Sequence, residues 1–137
     1  MNIKPWIGGA AAGALMTALA AFAHDALSLP ERPAGSNQIL KVELATAPGL
    51  EVIVSDVVIP ANSSVPKHYH PGEEFVAVVA GSAIHVEEGV EDRIYEAGEA
   101  FVIRKGKVHG PRAGAEPVRA IVFRVHVKGE PERTLVD

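Results

Sequence analysis

His68-Tyr69-His70-Pro71-Gly72-Glu73-Glu74, continuing through Phe75-Val76-Ala77-Val78-Val79-Ala80 to Gly81, is the stretch on which the reading of this chain turns. Two histidines two residues apart lie on one face of a strand, because strand side chains alternate with period 2. Pro71-Gly72 is a tight-turn pair, so a new strand begins at Glu73 or Glu74. The turn can bring one of these carboxylates back beside the two imidazoles. That is half or more of a metal site built from nitrogen and oxygen ligands. His109 follows a second glycine-punctuated segment, residues 98–106, and is a further candidate.

Alternation separates the two glutamates. Glu74, Val76, Val78 and Ala80 share one face of the strand; Phe75, Ala77 and Val79 share the other. Two apolar faces predict cover on both sides, one by the interior of a sandwich and the other by a second layer or a subunit contact. A carboxylate on a buried face is costly unless it pairs or binds a cation. Glu74 is therefore the better ligand candidate. Phe75, Ala77 and Val79 predict a homodimer formed through that sheet face.

Working outward, residues 39–46 alternate Ile39, Lys41 and Glu43 with Leu40, Val42 and Leu44, the pattern of a half-buried strand. Residues 50–60 are rich in valine and isoleucine and predict a more buried strand. Further strands are expected over 66–70, 82–87, 92–96, 100–103 and 118–127, the last with Ile121, Phe123 and Val125 on one face. Residues 61–64 and 110–114 read as loops. The tail, 128–137, is polar until Thr134-Leu135-Val136, a candidate edge strand. No amphipathic helix appears after residue 24. Many short strands with frequent turn signals predict an all-β sandwich or barrel.

The spacing of these residues resembles the cupin family. Its first motif, G-x5-H-x-H-x3-E-x6-G, is matched by His68, His70, Glu74 and Gly81, with Asn62 in place of the opening glycine. Asparagine also tolerates the positive φ such a turn needs. The second motif, G-x5-P-x-G-x2-H-x3-N, is matched by Gly98, Gly106 and His109, with Arg104 for the proline and Ala113 for the asparagine. The departures fall at turn and loop positions rather than at ligands. The resemblance covers roughly residues 39–127. It implies an all-β, cupin-type jelly roll with a metal near its middle.

A chain of 137 residues is enough for one domain. A net charge of −4 with 5% aromatic residues argues against nucleic acid as a partner. The absence of cysteine excludes a disulfide scaffold, a thiolate zinc site and cysteine nucleophile chemistry. Residues 1–23 carry one lysine, then an uncharged Ala/Gly-rich run ending in Ala21-Phe22-Ala23, and read as a secretory signal peptide. The rival reading is an uncleaved anchor, against which the run is short and weakly apolar. The expected organisation is signal peptide 1–23, flexible leader 24–38, cupin domain 39–127 and tail 128–137. The expected destination is export, to the periplasm in a Gram-negative cell, with no stable membrane anchor after cleavage.

Three imidazoles and a carboxylate suit Fe, Mn, Ni, Cu, Co or Zn and do not choose among them. His68, His70, Glu74 and His109 would hold one such divalent ion with coordination positions left open, the arrangement of a catalytic rather than a structural site. The resemblance implies a small-molecule substrate or ligand. Its leading activity is dioxygenase-like, with Glu74 also relaying a proton; a non-catalytic binder of a small ligand or metal is the alternative. His85 and His126 sit mid-strand and read either as partners that orient a ligand or, more commonly, as surface or hydrogen-bonded histidines. Tyr69 points away from the ligand face. Arg104, Lys105 and Lys107 form a basic cluster that either attracts an anionic substrate or is a solvated turn.

Overall fold

The computed structural model describes residues 29–136. The described chain runs through β1 (Gly35–Glu43), β2 (Leu50–Ile59), β3 (His68–Tyr69), β4 (Glu74–Ala80), β5 (Ser82–His85), β6 (Arg93–Glu96), β7 (Ala100–Ile103), β8 (Arg112–Ala113), β9 (Val118–Val127) and β10 (Thr134–Leu135). No helix occurs among the described residues. The expected signal peptide, 1–23, lies outside them, as do residues 24–28 of the expected leader.

All pairings are antiparallel. A five-stranded sheet has the order β1-β2-β9-β4-β7, and smaller groups pair β6-β5-β8 and β10-β3. Bridges from His109 to His68 and to Glu87 link the strand β3 with the chain just beyond β5. The smaller groups therefore form one side of a sandwich whose other side is the large sheet.

The inner face of the large sheet is divided along its length. At one end Ile59, Val76, Val78, Val118, Ala120 and Val122 are buried, and they pack with Ala83, Ala113 and Ile103 as the hydrophobic core. The same strands continue into Ser55 and Glu51 on β2, Glu74 on β4, and Arg124 and His126 on β9, all buried. Alternation keeps these residues on the inner face, so the interior changes from apolar to ionic without a break in the ladder.

Asn62 stands at the motif's first glycine position and takes φ +55°, the left-handed conformation that asparagine tolerates. Gly72 is required for a different reason. A Cβ there would lie 1.6 Å from the carbonyl oxygen of Val125, so the turn between β3 and β4 must pass directly against β9.

Two expectations need correction. The first strand begins at Gly35, inside the segment read as leader, and it is exposed along its length rather than half-buried. It is an edge strand, and a bulge between Gln38 and Leu40 interrupts its alternation. Residues 112–113, read as loop, pair with β5. Among the described residues the outer face of β4 stays open, as a subunit contact there would require: Phe75 is 44% exposed and meets Phe123, itself 39% exposed, edge-on at 6.2 Å.

Asp56 anchors the opposite side of the same sheet. It accepts hydrogen bonds from Arg119 Nε at 2.8 Å and from Arg119 Nη2 at 2.5 Å, with Arg32 Nε at 3.3 Å. The bond to Arg119 and its charge hold the Asp56 carboxyl below its ordinary value of 3.8, against the opposing effect of burial. A depressed folded-state pKa contributes stability above the unfolded value and loses it as pH falls through the folded value. Asp56→Asn is therefore expected to be less stable than the parent at neutral pH, with the gap closing as pH drops below about 3.8. Urea denaturation as a function of pH measures this, and a gap that stays constant would contradict it.

Candidate metal centre

The backbone sets two of the histidines opposite each other. His68 N donates to His109 O, and His109 N donates to His68 O, both at 2.9 Å. Their side chains leave the same side of this bridge, with ring centroids 4.3 Å apart. His70, two residues along from His68, puts its ring 4.8 Å from that of His68 and 5.4 Å from that of His109. Each of the three imidazoles offers a nitrogen within 4.8 Å of the other two, and all three are buried.

The ring nitrogens are not equivalent. Nδ1 of His68 lies 2.7 Å from Pro66 O, Nδ1 of His109 lies 2.9 Å from Lys107 O, and Nδ1 of His70 lies 2.5 Å from Glu132 O. A carbonyl only accepts, so each Nδ1 carries the proton and donates it. Each Nε2 of a neutral ring is left with a lone pair. His70 Nε2 and His109 Nε2 are buried with no hydrogen-bond donor to meet them. Buried acceptors without partners are uncommon, and one shared cation satisfies both. The donor set therefore fits a metal ion, and the His68-His70-His109 triad can hold one.

Glu74 stands beside the triad. Its Oε2 accepts from Arg124 Nε at 2.6 Å and lies 3.0 Å from His70 Nε2; its Oε1 lies 3.9 Å from His109 Nε2. With Nδ1 of His70 already donating, the Nε2 lone pair and the carboxylate oxygen are two acceptors face to face. That contact repels unless a proton or a cation lies there. Burial pushes the Glu74 carboxyl up, but a proton donated by His70 across that contact and the Arg124 charge outweigh it and bring it down to about 2. Burial likewise lowers His68 to about 4, against the pull of the Pro66 carbonyl, and lowers His109 against that of Lys107. Near neutral pH the site thus presents unprotonated His68 and His109 and an ionised Glu74, the states that coordinate metals.

A cavity of about 530 Å³ opens beside His68, His70, Glu74 and Arg124. Val57, Ile59 and Val65 give it an apolar wall, and Arg133 and Glu132 line it from the C-terminal segment. The basic cluster does not line it, in keeping with the reading as a solvated turn: Arg104, Lys105 and Lys107 are exposed, and Lys107 Nζ lies 4.0 Å from Glu87. His85 and His126 are buried rather than at the surface, and neither joins the triad. His85 packs against Phe101 at 4.9 Å, and His126 Nε2 lies 3.1 Å from Glu130 O. Tyr69 does not line the cavity. Sequence reasoning missed Arg124 and Glu132, whose side chains pair at 3.0 Å.

Arg124 is the counter-ion of a buried carboxylate, and removing one partner of such a pair leaves an uncompensated charge. Arg124→Met is expected to destabilise the metal-free protein by about 3–5 kcal/mol. Chemical denaturation in the presence of a chelator measures it, and a loss below about 1 kcal/mol, the range of exposed pairs, would show that Glu74 does not depend on Arg124.

Comparison with known proteins agrees with this geometry. No curated protein sequence matches the chain. Among solved structures, the DMSP lyase DddQ from Ruegeria pomeroyi is 28% identical with a TM-score of 0.54, over 66% of this chain and 44% of the lyase. The chain thus spans less than half the length of that enzyme. A cupin-like protein from Thermotoga maritima is 22% identical with a TM-score of 0.62, over 74% of each chain. A conserved protein with a double-stranded β-helix domain from Klebsiella pneumoniae is 18% identical with a TM-score of 0.57, over 82% of this chain and 93% of that one. The family profile described as "Cupin domain" matches residues 55–124, which hold His68, His70, Glu74 and His109, and this chain belongs to the cupin family.

Proposed function

We propose that this chain is a metal-dependent cupin acting on a small organic molecule held in the cavity beside His68 and His70. The observation that carries this reading is the convergence of three Nε2 lone pairs, each fixed by an Nδ1–H bond to a carbonyl, next to a cavity large enough for a small substrate. His68, His70 and His109 would hold one divalent ion, Fe, Mn, Ni, Cu, Co or Zn, with Glu74 as the fourth ligand. When bound, such an ion supplies Lewis acidity and, if redox-active, electrons for oxygen chemistry. Arg124 keeps Glu74 anionic, and that favours ligation over proton relay by this residue. The apolar wall of Val57, Ile59 and Val65 would hold the body of the substrate and exclude water.

Two reaction classes follow from different observations. The dioxygenase-like reading rests on the coordination positions that three or four protein ligands leave open. A lyase reading rests on the 28% identity to the DMSP lyase DddQ. Oxygen uptake during turnover of phenolic or enolizable substrates supports the first, and oxygen-independent cleavage of DMSP supports the second. A protein that retains metal and ligand without either activity is a non-catalytic binder. We place this activity outside the cytoplasm, on the strength of the signal-peptide pattern in residues 1–23.

Elemental analysis tests the centre directly. The parent protein is expected to carry about one equivalent of a single transition metal, and the His68→Ala/His70→Ala variant essentially none. Equal metal content in the two proteins would remove the proposed site.

The assembly is proposed to be a homodimer through the outer face of the large sheet. Register places Leu40, Val54, Phe123, Phe75 and Val102 in one row across all five strands. Leu40, Phe75 and Phe123 are each more than a third exposed. A row of this kind at the sheet centre is the surface a second copy would cover. Light scattering at micromolar concentration is expected to give twice the chain mass, and Phe75→Glu/Phe123→Glu to give the monomer. A monomeric parent would contradict the assignment.

A further inference from the structure

The three imidazoles of the triad are oriented by different means. His68 and His109 each donate Nδ1–H to the carbonyl two residues earlier in the chain, Pro66 and Lys107. Those contacts are local and form with the strand itself. His70 donates to Glu132, 62 residues away in the C-terminal segment. Among the described residues, none nearer in sequence holds that nitrogen.

The C-terminal segment is itself docked on the site. Beyond β9 the chain turns and returns as β10, with Thr134 opposite Tyr69 and Leu135 opposite His68. Val136 N donates to Lys67 O at 3.0 Å. Glu132 Oε1 pairs with Arg124 Nη1 at 3.0 Å, and Glu132 and Arg133 both line the cavity. The segment is otherwise thinly held: Glu130 to Leu135 are all exposed, and β10 is only two residues long. A short, exposed pairing of this kind opens at low free-energy cost.

We infer that residues 130–136 form a strap whose docking and metal binding are coupled, with Glu132 as a positioning residue for His70. This inference rests on the metal reading of the triad. With the strap docked, Glu132 O fixes the tautomer and ring plane of His70, so Nε2 faces the other two nitrogens. With it undocked, Nδ1–H loses its acceptor and the ring is free to turn about χ2. Partners of this type change metal affinity by about 10–100-fold. Coupling is reciprocal, so bound metal must hold the strap down by the same factor. The contact runs through the backbone carbonyl, so it is lost when the strap leaves β3.

Cobalt(II) is a suitable probe, because its visible absorption reports coordination and its affinity is measurable by competition with a chelator. Two variants separate the possibilities: a stop after Gly129, which removes the strap, and Val136→Pro, which removes one donor to Lys67. Both are expected to bind cobalt at least about 10-fold more weakly than the parent. In the parent, cobalt is expected to slow hydrogen exchange at the Val136 amide. Equal cobalt affinity in the parent and in Val136→Pro, with no change in exchange at Val136, would overturn the inference while leaving the metal site intact. A parent chain that takes up no cobalt would overturn both. Should the truncated chain fail to fold, Val136→Pro and the exchange measurement on the parent decide the matter.

Discussion

A carboxylate buried between a guanidinium and three imidazoles is the contact on which the site end of this sandwich depends. Antiparallel register places Glu74 of β4 directly opposite Arg124 of β9, so the pair is fixed by the sheet and not by flexible side-chain reach. The contacts then close on themselves. Glu74 meets Arg124, Arg124 meets Glu132, the Glu132 carbonyl meets His70, and His70 returns to Glu74. These four residues come from three separate segments of the chain. Breaking any link leaves a buried charge or polar group without its partner, which costs more than an intact pair gains.

The same sheet has to support both this ionic half and an apolar half. Burying ion pairs is weak evidence for stability, and a well-packed apolar replacement is often neutral or better. The stabilising work therefore falls to the other end, where Ile59, Val78, Val118 and Val122 pack, and to the ladders of β2, β9 and β4. The core side chains there are small, mostly valine and alanine with two isoleucines. The division explains why β2, β4 and β9 read as apolar for most of their length and turn polar toward one end. Each strand serves the core with one part and the site with the other.

Most of the fold was legible because period-2 alternation is a local signal. The strands over 50–59, 74–80, 100–103 and 118–127 follow from it directly. Grouping His68, His70 and His109 was legible from spacing, with Glu74 singled out by the face it occupies. The same argument reaches Arg124: Val118, Ala120 and Val122 are apolar, so Arg124 and His126 fall on a buried face too. Attention to Ile121, Phe123 and Val125, the other face of that strand, hid it. Glu132 was not legible at all, because its contact with His70 uses a backbone carbonyl and carries no residue-type signature. Residues 35–38 and 112–113 were missed because edge and two-residue pairings depend on a distant partner more than on their own sequence.

The large cavity reaches two of the three imidazoles. His68 and His70 line the large cavity and His109 does not; it sits 2% exposed behind them, held by its backbone bridge to His68. A molecule entering that cavity meets the first two residues, with Glu74 and Arg124 beside them and the apolar wall of Val57, Ile59 and Val65. Ligand approach and C-terminal docking then act on the same side of the centre, because Glu132 and Arg133 line that cavity as well. The wall that a substrate would touch is thus partly built from the segment that orients His70. Substrate fit and the geometry of the triad are set by one set of contacts rather than two independent ones.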